Sequence, residues 1–260
     1  MSVFDFNGEK YKQASNHQKK WGNDLISKLV LSGNETILDL GCGDGMLTMQ
    51  LANFTRGKVI GIDASKGMIE TAKRAYSKDN LEFKLMDINN LDFIDQFDLI
   101  YSNAALHWVK DHQRLFQNCY QALKTNGKLA WNFAGEGTTL NFVAIIKEVI
   151  SLDQYQKYFQ NFIWPWYMPA LKEYQRLIET FEFKDLNLTF ENRDRYFTND
   201  DELIKWIDQP CLVPFINQIP VSKKELFRQK VIDSMLVRTR QDDGTYFETF
   251  KRINLLATKR

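Results

Sequence analysis

Short apolar runs alternate with helix-periodic stretches through the first half of the chain. The runs at 36–40 ("TILDL"), 58–63 ("KVIGID"), 81–88 ("LEFKLMDI"), 97–103 ("FDLIYSN") and 128–134 ("KLAWNFA") are rich in strand-forming residues. Between them, Leu47, Leu51 and Phe54 share one helix face, as do Met68, Ala72 and Ala75, and Leu115, Cys119 and Ala122. Ser65 reads as an N-cap, and "TNG" before Lys128 reads as the stop of the helix ahead of the fifth strand. Trp21, Leu25 and Leu29 predict one more amphipathic helix ahead of the first strand. Alternation of this kind implies an α/β fold, a doubly wound and mainly parallel sheet with helices on both faces.

After Ala134 the rhythm changes. Residues 138–183 read as helical and aromatic around "IWPWYMP", 186–197 as strand-like, 200–240 as helical, and 246–260 as a closing strand. Two late strands would complete a seven-stranded sheet, with the helical pieces forming a cap inserted in the C-terminal half. The expected organisation is an N-terminal lid helix in 1–31, a Rossmann-like cofactor-binding core in 32–135, and the cap with the last two strands in 136–260.

Composition narrows the class. With 260 residues, 44% hydrophobic and 26% charged, the chain can bury a full core. A net charge of +1 with no basic block offers no nucleic-acid surface, and no window is long enough to span a membrane. The start "MSVFDFNGEKYKQ" lacks the apolar run of a signal peptide. Cys42, Cys119 and Cys211 are far apart and histidines are few, so no metal site is expected. A cytoplasmic protein, monomeric or weakly dimeric, is the expectation.

The turn after the first strand carries the chemistry. Asp39, Gly41, Gly43 and Gly45 form a D-x-G-x-G-x-G pattern that brings bare backbone up to a ligand. The dinucleotide fingerprint wants a third small residue at 46, where this chain has Met46, so a nicotinamide dinucleotide is disfavoured. Asp63 closes the second strand, where a carboxylate can accept ribose hydroxyls. Asp87 closes the third, where it or Ile88 could meet an adenine edge. Each aspartate also has a plain structural reading, as a helix-start charge or a turn residue.

As an ordered set, "ILDLGCGDGMLT", "VIGIDASKGMIETAK", "FKLMDINNL" and "FDLIYSNAALHWVKD" resemble the motifs of class I S-adenosylmethionine-dependent methyltransferases. Within that class, "NAALHWVKDH", "LIKWIDQPCLVPFI" and the terminal "DGTYFETFKRINLLATKR" are most similar to the trans-aconitate methyltransferase group. The resemblance implies S-adenosylmethionine as cofactor. It implies that Gly41, Gly43 and Gly45 approach the methionine moiety with Asp39 supporting that end and Cys42 within the turn. Asp63 would take the ribose, with Ala64 and Met68 alongside, and Asp87 and Ile88 would frame the adenine. Asn103 and Ala104 would line the methyl path, while Tyr11, Gln18 and Trp21 would close over the cofactor. Gln209, Pro210 and Val213 depart from the group's pattern, which has a basic residue where Val213 stands.

Methyl transfer from a sulfonium needs positioning and exclusion of water, and a carboxylate acceptor needs no base. His107 is the candidate base for any other acceptor, or else a pocket wall beside Trp108; His17 and His112 read as surface residues. Trp164, Trp166, Tyr167, Trp206 and Phe215, with Leu212, could line an acceptor pocket, and Arg193 and Arg195 could offset acceptor charge. The expectation is methylation of a small-molecule carboxylate oxygen, on trans-aconitate or a more apolar acid. The alternatives are an acyl group on a carrier protein, or a non-catalytic S-adenosylmethionine-binding regulator.

Overall fold

The structure is a computed structural model that describes residues 16–260, so Tyr11 lies outside the described residues. Helix α1 spans Asn16–Ile26. Strands β1 (Ile37–Leu40), β2 (Val59–Asp63) and β3 (Leu81–Leu85) alternate with α2 (Met46–Phe54) and α3 (Lys66–Ala75). Strands β4 (Phe97–Asn103) and β5 (Leu123–Ala134) flank α4 (His112–Ala122). Then follow α5 (Leu140–Ile150), α6 (Leu171–Ile178), β6 (Phe183–Asn192), β7 (Arg195–Phe197), α7 (Asp200–Trp206), α8 (Val213–Ile216), α9 (Val221–Thr239), β8 (Tyr246–Glu248) and β9 (Lys251–Lys259).

Seven strands form one sheet in the order β3-β2-β1-β4-β5-β9-β6. The first five pair in parallel, and β9 runs antiparallel to β5. The strand order reverses beside β1, which places the ends of β1 and β4 at the switch point where such sheets bind ligands. Every residue of β1 is buried, as expected of a strand covered on both faces. Leu25, Ile26, Leu51 and Ala52 of α1 and α2 pack with Ile37, Leu99 and Tyr101 on one face. On the other, Leu115, Phe116 and Cys119 of α4 pack with Leu38, Leu40, Ile100 and Trp131.

The chain divides into two compact units, Met1–Glu136 with Trp166–Glu191 and Arg252–Arg260, and Gly137–Pro165 with Asn192–Lys251. Helix α6, expected in the cap, belongs to the sheet unit. Its Tyr174 and Ile178, one turn apart, are both buried against the α4 face of the sheet. The second unit has its own aromatic interior, in which Trp206 packs on Phe142, Phe197 and Phe250.

Two boundaries differ from the sequence reading. Helix α4 ends at Ala122, and "TNG" is a bulge inside β5, because Phe97 pairs with Leu123 but Leu99 pairs with Lys128. The closing stretch 246–260 is two strands, β8 pairing with β7 and β9 with β5. They part after Glu248, whose buried carboxylate accepts the amides of Asn141 and Phe142 at the start of α5 at 3.1 and 2.9 Å. That local demand outcompetes continuation of one ladder.

Candidate active site

Gly41, Gly43 and Gly45 all hold positive φ, at 73°, 55° and 82°, so the turn needs glycine conformational freedom. A Cβ on Gly41 would lie 2.2 Å from Cβ of Ala105, and one on Gly45 2.7 Å from Phe83 and 2.8 Å from Ala72. A Cβ on Gly43 would meet nothing within 4 Å. Two of the glycines therefore close the turn against the protein, and the third turns a bare backbone face to open space.

The carboxylates around this turn are held by backbone. Asp63 accepts the amide of Gly43 at 3.0 Å on one oxygen and that of Ser65 at 2.8 Å on the other. A carboxylate oxygen can accept more than one hydrogen bond. Ser65 caps α3 by accepting the amide of Met68, as the sequence predicts. Asp39 is buried and accepts the Thr48 hydroxyl at 2.7 Å. Burial raises its pKa to about 7, opposed by the Thr48 hydrogen bond and aided by the charge of Asp63. The buried Cys42 thiol is pushed well above its usual value by burial and by the aspartates, so it is no nucleophile.

Strand β3 stops at Leu85, and Asp87 lies beyond it as the cap of a short 3-10 turn. Its Oδ1 accepts the Asn89 amide at 2.9 Å. Ile88 comes up against the glycine turn, with its Cδ1 3.9 Å from where a Cβ on Gly41 would stand. At the end of β4, Asn103 donates through Nδ2 to the Gln18 carbonyl at 2.9 Å, while its buried Oδ1 has no hydrogen-bond partner. Ala104 follows at a φ of 57°.

Helix α1 is fastened over this end of the sheet. Lys19 pairs with Asp44 of the turn at 2.9 Å, and Tyr101 donates to the Gly22 carbonyl at 3.1 Å. Trp21 is buried, 4.6 Å from the Arg252 guanidinium. Sequence reasoning missed Asp44, Thr48, Arg252 and Asn132. Arg252 sits in a stretch read as a closing strand and as part of the resemblance, where nothing marks one charged residue as buried.

The turn after β4 carries His107, buried, with a buried Nδ1 that has no hydrogen-bond partner. Burial holds its pKa well below 6.5, with the charge of Arg252 adding to the effect. Tyr167 donates its amide to the His107 carbonyl at 2.8 Å, and Trp166 packs edge-on against Trp108 at 5.7 Å. His107, Trp108, Trp166 and Tyr167 are thus brought together. His112, expected at the surface, is buried between Tyr174 and the Leu106 carbonyl, at 2.9 and 3.0 Å. Burial lowers its pKa to about 4, so it is a neutral packing residue.

Trp164, Trp206 and Phe215 belong to the second unit. Trp206 and Phe215 lie in its interior, and Trp164 packs on Phe215 at 5.4 Å. Leu212 is buried too. Arg195 lies in β7, outside the seven-stranded sheet, and pairs with Glu202 at 2.8 Å. Among the described residues, no group of three or more His, Cys, Asp or Glu could hold a metal ion. Nor, among the described residues, is any helix long and apolar enough to cross a membrane.

A sheet of this order, with a glycine turn opening at the end of β1 and a carboxylate at the end of β2, defines a class I methyltransferase fold. The crystal structure of YcgJ from Bacillus subtilis shares it at a TM-score of 0.62, covering 94% of this chain and 98% of that one at 17% identity. Residues 38–131 match the family described as a methyltransferase domain, and the chain is an S-adenosylmethionine-dependent methyltransferase. An uncharacterized methyltransferase of Schizosaccharomyces pombe is 28% identical over 257 residues, 96% of each chain. The trans-aconitate 2-methyltransferase of Variovorax paradoxus is 36% identical over 130 residues, 49% of each chain. The malonyl-[acyl-carrier protein] O-methyltransferase of Acetivibrio thermocellus is 34% identical over 138 residues, 52% of this chain and 49% of its own.

Proposed function

We propose that this methyltransferase acts on a carboxylate oxygen of a small acid. His107 carries the reading: it is the sole titratable side chain of the "NAALHW" turn, and its burial keeps the imidazole from taking a proton. Such a group is a poor base, so an acceptor that must lose a proton is served badly and one already ionised is served well. The relatives named for trans-aconitate and for a malonyl carrier support the same reading, since both acceptors bear carboxylates.

The cofactor fits the turn after β1. Gly43 leaves room where a side chain would stand, and Asn103 offers a buried Oδ1 without a partner. On this reading Gly41, Gly43, Gly45 and Asp39 border the methionine end, with Cys42 in the turn between them. Asp63, with Ala64 and Met68, borders the ribose, and Asp87 with Ile88 the adenine. Gln18 and Trp21 of α1 cover the site, and Asn103 and Ala104 border the methyl path. When bound, S-adenosylmethionine supplies an electrophilic methyl group and a neutral thioether leaving group. An acceptor oxygen that is already ionised would take that methyl with the carbon–sulfur bond breaking, and would need no base. What the chain contributes is alignment and a dry site.

The test is incubation with methyl-labelled cofactor and a panel of trans-aconitate, a medium-chain acid, and matched alcohol and amine acceptors. A base-labile ester from an acid is expected, with kcat/KM flat above about pH 6 because the acid is already ionised. Labelling of only the alcohol or amine would sink the proposal. Cofactor binding without product from any acceptor would favour a regulator.

A further inference from the structure

Two side chains of β4 reach the backbone of α1 along one line. Tyr101 and Asn103 share a face by strand alternation, and they donate to the Gly22 and Gln18 carbonyls at 3.1 and 2.9 Å. Those carbonyls are one helical turn apart. The helix lies close upon the amide, since a Cβ on Gly22 would stand 3.0 Å from Asn103 Nδ2. A carbonyl can only accept, so Gln18 fixes which way the Asn103 amide faces and leaves Oδ1 as an acceptor. That oxygen is buried, with no hydrogen-bond partner among the described residues.

The sheet order selects the donor that can reach it. Across β3-β2-β1-β4, the reading above sets adenine beyond β3, ribose at β2 and the methionine end at the turn after β1. Strand β4 comes next, and the Ala105 that follows it stands against Gly41 of that turn. Of the cofactor's donors, the ammonium is the one at the methionine end. We propose that the Asn103 amide couples this ammonium to the seating of α1, Oδ1 accepting from the ammonium while Nδ2 holds the Gln18 carbonyl. The inference rests on the placement of the methionine end given above. Seating α1 buries Oδ1, and a buried acceptor without a donor opposes that seating. An ammonium at Oδ1 removes the opposition. A ligand that carries it therefore holds α1 more firmly than one carrying only the nucleoside. By reciprocity, the seated helix tightens that ligand by the same factor.

The experiment follows hydrogen exchange of α1 amides in the wild type, with α4 amides as reference. One sample holds saturating S-adenosylhomocysteine. The other holds saturating 5′-methylthioadenosine, which keeps the adenosine and the thioether and lacks the amino acid end. S-adenosylhomocysteine is expected to slow α1 about fivefold or more beyond 5′-methylthioadenosine, with α4 alike in both complexes. In Asn103→Leu that difference should vanish. Calorimetric affinity should then fall about tenfold for S-adenosylhomocysteine and less than about threefold for 5′-methylthioadenosine. Equal slowing of α1 by both ligands in the wild type overturns the inference. So does an Asn103→Leu variant that keeps either the α1 difference or the full S-adenosylhomocysteine affinity. Gly43→Ala separates the two failures. If it weakens S-adenosylhomocysteine, the placement of the methionine end stands even where the Asn103 inference falls; if it binds as wild type does, the placement fails and takes the inference with it. Should Asn103→Leu not fold, Asn103→Ala is read by the same two measurements.

Discussion

Gly41, Gly43 and Gly45 share a backbone conformation but not a neighbourhood, and that difference separates folding from binding. An alanine at 41 or 45 meets both a left-handed backbone and a packed neighbour, so each should cost about 2 kcal/mol or more. Gly43→Ala carries only the backbone penalty, about 1 kcal/mol, yet its methyl fills the open face of the turn. Denaturant melts should therefore rank Gly43→Ala as the mildest of the three, while calorimetry shows it binding S-adenosylhomocysteine at least about tenfold more weakly. Wild-type affinity in Gly43→Ala would remove the turn from the cofactor site. Asp39 gives a second prediction at this scale. Its folded pKa of about 7 lies above the ordinary carboxylate value, so the folded state holds the proton more tightly than the unfolded chain. The contribution is full at acid pH, declines as pH rises from about 4 to about 7, and is then gone. Relative to wild type, Asp39→Asn should gain on the order of 2–4 kcal/mol between pH 4.5 and pH 8, read from urea melts at both. A constant difference across that range would show that Asp39 does not carry the proton.

The first helix is an element whose role rests on a few polar contacts. The Tyr101 hydroxyl on the Gly22 carbonyl joins α1 to the middle of the sheet, and the bond is buried. Tyr101→Phe removes one hydrogen bond of about 1 kcal/mol, and hydrogen exchange of α1 amides should then speed up about fivefold while those of α4 keep their rates. Equal acceleration in both helices would mean that α1 opens only with the whole sheet. Much of the element order was legible because strand burial and helix periodicity are local properties of the sequence. Every residue of β1 is apolar or an aspartate at the site, and Ser65 caps where its type predicts. What stayed hidden was set by partners distant in the chain. The bulge of β5 depends on pairing with β4, the break before β9 on the amides of α5, and the burial of His112 on Tyr174 of α6. Arg252 was hidden for the same reason, since its partner Asn132 lies on another strand.

At the scale of the whole molecule, aromatic residues that look like a ligand pocket in sequence serve a second interior. Phe142, Phe197, Trp206 and Phe215 are all buried within the second unit, where Ile145, Ile146, Val231 and Ile232 are buried too. The glycine turn, by contrast, was legible because its function requires residue types that packing alone does not. That distinction yields a prediction for ligand-linked stability. S-adenosylhomocysteine at about a hundredfold its Kd should add about 2.7 kcal/mol to the unit that binds it. For a protein of this size, that corresponds to a rise in melting temperature of roughly 5–10 °C. NAD at the same concentration should give no shift, because the position that a dinucleotide turn keeps small is Met46. The two ligands share an adenosine, so the comparison tests the turn rather than the adenine end. Equal shifts from both would mean that the site reads only the nucleoside, and the role given to Met46 would have to be abandoned.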